Sequence, residues 1–149
     1  MIIKQISIFI ENKPGRLEEV TGFLAKEEIN LHALSIADTT DFGILRLIVS
    51  NPEKAEEVLK KEGFMVKTTA VIAVAMGTGP GSLNKVLKEL RGLDVSVEYM
   101  YAFTSRHIRY NAIAIFKLID QDSVLHRLVE KEMIVLEKDF FTNLNTVKN

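Results

Sequence analysis

The amino-acid sequence predicts an α+β protein made of two βαββαβ units in tandem. Alternating isoleucines between Ile6 and Ile10 are typical of a half-buried strand, and apolar residues return at helical spacing after Pro14-Gly15. The turn Pro80-Gly81 repeats Pro14-Gly15 at an offset of 66 residues, and the offset extends through the neighbouring apolar positions. A chain of 149 residues can hold two small domains, which we assign to residues 1–69 and 70–149.

The first half is expected to fold in the order strand, helix, strand, strand, helix, strand. After the first amphipathic helix, turn residues separate two strands predicted at Leu31–Ala37 and Phe42–Val49. Asn51 and Pro52 then indicate a helix, because an asparagine side chain caps free N–H groups and proline suits the first helical position. A fourth strand is predicted at Met65–Thr69. This order is the ferredoxin-like one, with both helices on one face of an antiparallel sheet.

The second half is expected to repeat these elements. Between Met65 and Met76 no glycine or proline interrupts the chain, so the two domains should join without a flexible linker and pair side by side in a fixed arrangement. Three extra residues fall in the polar hairpin tip Thr104–Asn111, the loop that we expect to be most mobile. The remaining predictions are a helix ending at Gly92, strands at Val95–Phe103 and Ala112–Leu118, a helix with Asp120 at the cap position of Asn51, a last strand from Val135, and a frayed end at Thr142–Asn149.

Each Pro-Gly turn stands where a strand changes into a helix. Proline suits the first turn of a helix, whose free N–H groups it does not need, and glycine lets the backbone approach a bound group closely. The unpaired N–H groups and the positive end of the helix dipole make such a helix start an anion site. Both turns are therefore candidate binding sites, and the simpler interpretation is that they only start helices.

Composition narrows the classes of function. The chain has 47% apolar residues, a net charge of −1 and no cysteine, so we expect no disulfide, no thiolate chemistry and no nucleic-acid or acidic membrane partner. The longest apolar run, Ala70–Met76, is too short to span a bilayer, and the first four residues do not begin a secretory signal. These observations favour the cytoplasm.

The residues around the first turn resemble a known family. Asn12–Leu17 after a strand, followed by Ile29–Leu31 after the helix, resembles the ACT domain, the small amino-acid-sensing module of metabolic regulators. The repeat of the turn at Pro80–Leu83 extends the resemblance to two ACT domains in tandem. The resemblance implies a non-enzymatic regulatory protein, with no catalytic residue, no cofactor and no accompanying catalytic domain.

The resemblance also implies where a ligand would bind. In the family, two units often pair edge to edge through their second strands, and a free amino acid lies between the Pro-Gly turn of one unit and the start of the second strand of the other. Carried onto this sequence, one pocket would use Asn12, Lys13, Pro14, Gly15, Arg16 and Leu17 with Ser96 and Val97. The other would use Gly77, Thr78, Gly79, Pro80, Gly81, Ser82 and Leu83 with Asn30 and Leu31.

The two expected pockets are not equivalent. Asn30 can donate and accept hydrogen bonds toward an amino acid, whereas the repeat has the shorter Ser96 at that position. The turn Gly77–Gly81 is rich in glycine and exposes more backbone than the first turn, where Lys13 and Arg16 add bulk. We therefore favour the pocket built on Gly77–Leu83 with Asn30.

Other chemistries find less support in the sequence. The glycines of Gly77–Ser82 lack the last glycine of a dinucleotide loop and the Gly-Lys-Ser/Thr of a P-loop. The three histidines have no metal-ligand spacing, and no nucleophile accompanies them in a motif, so no metal site is expected. Tyr99, Tyr101 and Phe103 alternate on one strand, but an RNA-recognition motif needs its aromatic residues on the first and third strands.

These observations together favour a stand-alone sensor that binds a free L-amino acid at the interface of its two domains. The alternative is a regulatory subunit of an amino-acid biosynthetic enzyme, similar to the small subunit of acetohydroxy-acid synthase, and an enzyme is the third possibility. The resemblance implies a homodimer, because units of this family commonly pair. A partner enzyme or regulator would bind the ligand-bound and ligand-free forms with different affinity. The amino acid is left open among branched-chain, aromatic, serine-like and histidine ligands.

Overall fold

The computed structural model describes residues 2–38, 41–105 and 110–143. The chain divides into a first unit, Lys4–Thr69, and a second unit that follows from Ala70 and includes the first residues of the chain. Both units are α+β, with antiparallel strand ladders and helices, as the sequence predicts. In the described part of the chain, no helix has the length and apolar character needed to cross a membrane.

The first unit follows the predicted element order. Its strands adopt the order β2-β3-β1-β4, and the register places Ile8 opposite Leu45. Ile8 and Leu45 are fully buried against Leu24 and Leu59 of the two helices, so one face of the strands forms the core. The elements are β1 (Ile2–Glu11), α1 (Arg16–Lys26), β2 (Leu31–Asp38), β3 (Phe42–Val49), α2 (Pro52–Lys61) and β4 (Met65–Met76).

The strand predicted to end at Thr69 continues without a break. β4 runs as one strand from Met65 to Met76, so its first part belongs to the first unit and its part from Ala70 belongs to the second. The residues from Val71 to Val74 are all buried. An uninterrupted β-branched and apolar run therefore forms one long strand where the sequence predicted two in succession.

The second unit contains the predicted hairpin and helices around its own core. β6 pairs with β4 and β5, and Phe116 of β6 is fully buried against Leu90 and Leu128. Its hairpin closes with the N–H of Ser105 donating to the carbonyl of Asn111 at 2.8 Å, and the rest of the predicted mobile tip, residues 106–109, lies outside the described residues. The elements are α3 (Ser82–Gly92), β5 (Val97–Thr104), β6 (Ala112–Leu118), α4 (Gln121–Glu130) and α5 (Lys138–Asn143).

The end of the chain departs from the prediction. Val135 makes only an isolated bridge to Val74, with the N–H of Ala75 bonded to the carbonyl of Ile134 at 2.9 Å, so the predicted last strand is wrong. The chain then forms α5, which the sequence did not predict. Phe141 of this helix is buried. Thr142 lies in α5, and residues 144–149 are outside the described part.

Two further expectations, both about where helices begin, are wrong. α1 and α3 begin two residues after Pro14 and Pro80, so the prolines belong to the preceding turns and not to the helices. Asp120 stands at the cap position of α4 but has a left-handed φ of 54° and makes no cap to the backbone. Its carboxylate accepts a hydrogen bond from the Ser123 hydroxyl at 2.7 Å instead.

The cap of α2 yields a stability prediction. The Asn51 side chain accepts a hydrogen bond from the N–H of Lys54 at 3.1 Å, as the sequence predicts. Asn51→Ala should lower the free energy of unfolding by about 1 kcal/mol, measured by urea denaturation. Asn51→Ser keeps an acceptor at the same place and should retain most of the stability. An equal loss in both variants would contradict a capping role.

Candidate functional site

The second Pro-Gly turn joins the end of β4 to the start of α3. Gly81 has a left-handed φ of 84°, and the turn is closed by the N–H of Ser82 donating to the carbonyl of Gly79 at 3.2 Å. The N–H of Lys85 donates to the carbonyl of Gly81 at 3.0 Å and starts the helix. Other backbone N–H groups of the turn have no acceptor among the described residues, among them those of Thr78, Gly79, Leu83 and Asn84. The turn thus offers donors at the positive end of a helix dipole.

A cavity of about 500 Å³ opens beside this turn, within the second unit. Its size falls in the range usual for small-molecule sites. Met76, Leu83 and Leu87 lie on the cavity and also pack against the second-unit core, so this wall is apolar and fixed. The lining residues are Met76, Gly77, Thr78, Gly79, Gly81, Ser82, Leu83, Asn84, Leu87, Thr104 and Ala112.

Gly77 leaves room for the Ser82 side chain beside the turn. A Cβ atom at Gly77 would lie only 3.0 Å from the Ser82 hydroxyl oxygen, so the serine side chain fills the place that a larger residue would need. A second cavity of about 610 Å³ adjoins the same strand end and shares Met76, Gly77 and Thr78 with the first. The backbone of the turn is therefore accessible from two sides.

The first Pro-Gly turn has the same backbone but different contacts. Gly15 has a φ of 87°, close to the value at Gly81. The N–H groups of Asn12 and Lys13 donate to the carbonyls of Asp41 and Glu11, each at 2.9 Å. The positions equivalent to Asn12 and Lys13 are Thr78 and Gly79, whose N–H groups have no acceptor in the described chain. The first turn therefore satisfies donors that the second leaves available.

Charged side chains also occupy the first turn. The Lys13 ammonium lies 2.7 Å from the Glu11 carboxylate, and their hydrogen bond and opposite charges hold the pKa of Glu11 below its ordinary value. Arg16 contacts Glu19 at 2.6 Å and lies over the Phe64 ring at 4.9 Å from its centroid. Both cations of this turn are thus already paired with carboxylates of the same unit.

The sequence also predicted ligand contacts at the starts of β2 and β5. In the first unit, Leu31 at the start of β2 pairs with Val49, whereas Glu11 beside the turn pairs with Phe42 at the other end of β3. Asn30 is exposed, its N–H donates to the Ser50 hydroxyl at 3.0 Å, and its carbonyl accepts from the N–H of Ser50 at 3.0 Å. Asn30 and Leu31 line a groove of about 620 Å³ together with residues of α1. In the second unit, Ser96 is exposed and its carbonyl accepts from Ile119, while Val97 is partly exposed.

The structure brings together six of the seven predicted turn residues from Gly77 to Leu83 around one cavity, Pro80 being the exception. It adds five residues that the sequence reasoning missed, because they come from strand ends and from later positions of α3. Comparing the two repeats position by position could have indicated them. The added residues are Met76, Asn84, Leu87, Thr104 and Ala112. No group of three metal-ligating side chains is found in residues 2–38, 41–105 and 110–143.

Comparisons with known proteins agree with this architecture. A family model described as an ACT domain pair matches residues 1–146. Protein BT0572 from Bacteroides thetaiotaomicron is 44% identical, with 99% of this chain and 98% of that chain covered and a TM-score of 0.87. No curated protein matches the chain significantly.

Two more distant structures share the fold alone. The regulatory subunit of aspartate kinase from Thermus thermophilus, in its ligand-free form, is 17% identical over 88% of this chain and 96% of that chain, with a TM-score of 0.61. The corresponding subunit from Thermus flavus is 15% identical over 81% of this chain and 87% of that chain, with a TM-score of 0.56.

The ion pair of the first turn can be measured directly. An NMR titration of the Glu11 carboxyl should give a pKa below the ordinary glutamate value, because Lys13 stabilises the charged form. Lys13→Gln should raise this pKa toward the ordinary value. Lys60→Gln is a suitable control, since Lys60 pairs with Glu56 and should leave the pKa of Glu11 unchanged. An unshifted pKa of Glu11 in the unaltered protein would contradict the ion pair with Lys13.

Proposed function

Since the chain belongs to the family of paired ACT domains, we propose that it is a non-enzymatic regulatory protein that binds a free L-amino acid at the turn Gly77–Leu83. The observation that carries the proposal is the cavity beside this turn. Residues at the start of α3, with available backbone N–H groups, line this cavity. The proposal also includes the expectation that Asn30 contributes to binding.

The chemistry of the second turn fits an amino acid's carboxylate. Backbone N–H groups at Thr78 and Gly79, and at the first helical positions, can donate to carboxylate oxygens at the favourable end of the helix dipole. Hydroxyls at Thr78 and Thr104 and the amide of Asn84 stand around the cavity and supply acceptors for an ammonium group. These groups hold both charged ends of the ligand and perform no reaction on it.

The first turn is the weaker candidate. Two of its N–H groups are bonded to carbonyls of the same unit, and the Glu11 carboxylate beside it would repel an anionic group. We therefore propose one principal site for each chain. Binding there stabilises the occupied form by linkage, and a partner that distinguishes the two forms reads the amino-acid concentration. We place this sensor in the cytoplasm.

A second candidate function is that of a regulatory subunit that contacts another chain. The observation that favours it is the row of apolar side chains along the edge strand β2, where Leu31, Leu34 and Ile36 are 39–44% exposed. A second copy of the chain or a catalytic partner would cover this edge. Sedimentation of the purified protein, with Leu34→Lys as the variant, distinguishes a homodimer from a monomer that awaits a different partner.

The sensor proposal is tested by thermal unfolding with each of the twenty amino acids at millimolar concentration. A ligand at a hundredfold excess over its Kd should add about 2.7 kcal/mol to the stability, which is seen as a raised Tm. Gly81→Asp should abolish this shift, because a carboxylate would stand where the ligand carboxylate binds. Gly15→Asp is the matched control, since both glycines have left-handed φ values and open space around a Cβ.

The pair of variants separates binding from stability. Both substitutions place an aspartate in the same strained backbone conformation, so both should lower the Tm of the free protein by a similar amount. Only Gly81→Asp should remove the ligand-induced shift. An undiminished ligand-induced rise in Tm in Gly81→Asp would show that the ligand binds elsewhere. The absence of any such rise in the unaltered protein would contradict the proposal. Asn30→Ala measures the contribution of the second strand.

A further inference from the structure

We infer that the amino acid bound by the cavity of the second unit has an uncharged, apolar side chain, such as that of valine, leucine, isoleucine or methionine. This inference rests on the proposed function and names the ligand class of the same site. It comes from the chemistry of the cavity walls, and independently from the way this unit departs from its repeat.

The walls of the cavity carry no charged side chain among the described residues. Met76, Leu83 and Leu87 form an apolar side, and Ala112 of β6 closes it with a buried methyl group. A Lys, Arg, Asp or Glu side chain packed against this apolar side would lose part of its hydration and would meet no opposite charge among the described lining residues. An apolar side chain loses nothing on leaving water and gains contacts with these groups.

The polar groups of the cavity lie in other parts of its wall. Thr78, Asn84 and Thr104 are exposed, and Ser82 is half-buried with its hydroxyl directed over Gly77. These groups and the backbone N–H groups suit the carboxylate and ammonium that every free amino acid has. The partly buried side of Met76 and Leu87 is left for the part of the ligand that differs between amino acids.

The first unit has charged side chains at several positions that are equivalent to the cavity lining of the second unit. Thr104 and Met76 both lie opposite Ala112 in register, as Asp38 and Ile10 both lie opposite Gly43 in the first unit. The positions are therefore equivalent across the repeat. Five charged residues of the first unit correspond to small or neutral residues in the second, pairing Glu11 with Gly77, Lys13 with Gly79, Arg16 with Ser82, Glu18 with Asn84 and Asp38 with Thr104.

A sixth difference concerns Leu87, which lines the cavity. Leu87 stands on α3 where α1 has Thr21, whose hydroxyl is bonded to the carbonyls of Leu17 and Glu18 at 3.1 and 3.0 Å. The second unit thus replaces a polar side chain by a larger apolar one at the position that faces the cavity. All six exchanges remove charge or polarity from this one cavity.

The test compares amino acids of nearly equal shape by isothermal titration calorimetry with the full chain. The pairs are valine with threonine, leucine with asparagine, and methionine with glutamine. The apolar member of the preferred pair should bind roughly tenfold to a hundredfold more tightly, because its partner brings an unpaired polar group to the apolar wall. Aspartate, glutamate, lysine and arginine should bind more weakly still.

The outcomes separate this inference from the proposed function. If a polar or charged amino acid binds as tightly as its apolar counterpart, the sensor function stands and the inference fails. If no amino acid binds at all, both fail. If the apolar members prevail, both are supported.

A variant taken from the repeat gives a second, independent readout. Leu87→Thr installs the residue of the first unit, and it should lower the ratio of leucine affinity to alanine affinity by about tenfold. Because a ratio is measured, a general loss of stability does not imitate the result. Thr21→Leu is the matched control and should leave the ratio unchanged. An unchanged ratio in Leu87→Thr would overturn the assignment of this wall to the ligand's side chain.

Discussion

The left-handed glycine in front of each first helix is the constraint on which the rest of the structure depends. At φ values of 87° and 84°, Gly15 and Gly81 adopt a conformation that costs other residues about 1–2 kcal/mol. This conformation ends the extended chain and directs the next residues into a helix that returns over the strand it came from. The strand end and the helix start are thereby held side by side, which forms the candidate site and also places Leu24 and Leu90 on their cores.

The two units use this one backbone in different ways. The first fills its turn with its own ion pairs and internal hydrogen bonds, whereas the second leaves donors available beside an apolar cavity. Neither arrangement changes the strand register, because the exchanges affect side chains at the sheet end and not the buried positions. The same fold therefore carries two turns of different chemistry.

Much of the fold could be predicted from the sequence, because hydrophobic periodicity and capping chemistry are local. The element order and the cap at Asn51 follow from such signals. The predicted cap at Asp120 was wrong. Aspartate is a suitable residue type for a cap, but Asp120 has a left-handed backbone and its carboxylate bonds to Ser123. α5 was not anticipated, because the burial of Phe141 is a tertiary contact that local sequence signals do not reveal. In the candidate site, the turn was visible as a motif, but Thr104 and Ala112 reach it only through strand register.

The continuity of β4 determines how this protein can be cut. A protease needs an accessible, deformable stretch of backbone, and the junction between the repeats lies inside a single hydrogen-bonded strand from Met65 to Met76. Limited digestion should spare this junction, so the two repeats remain one polypeptide in the cell. A gene truncated at residue 69 would end in the middle of a strand.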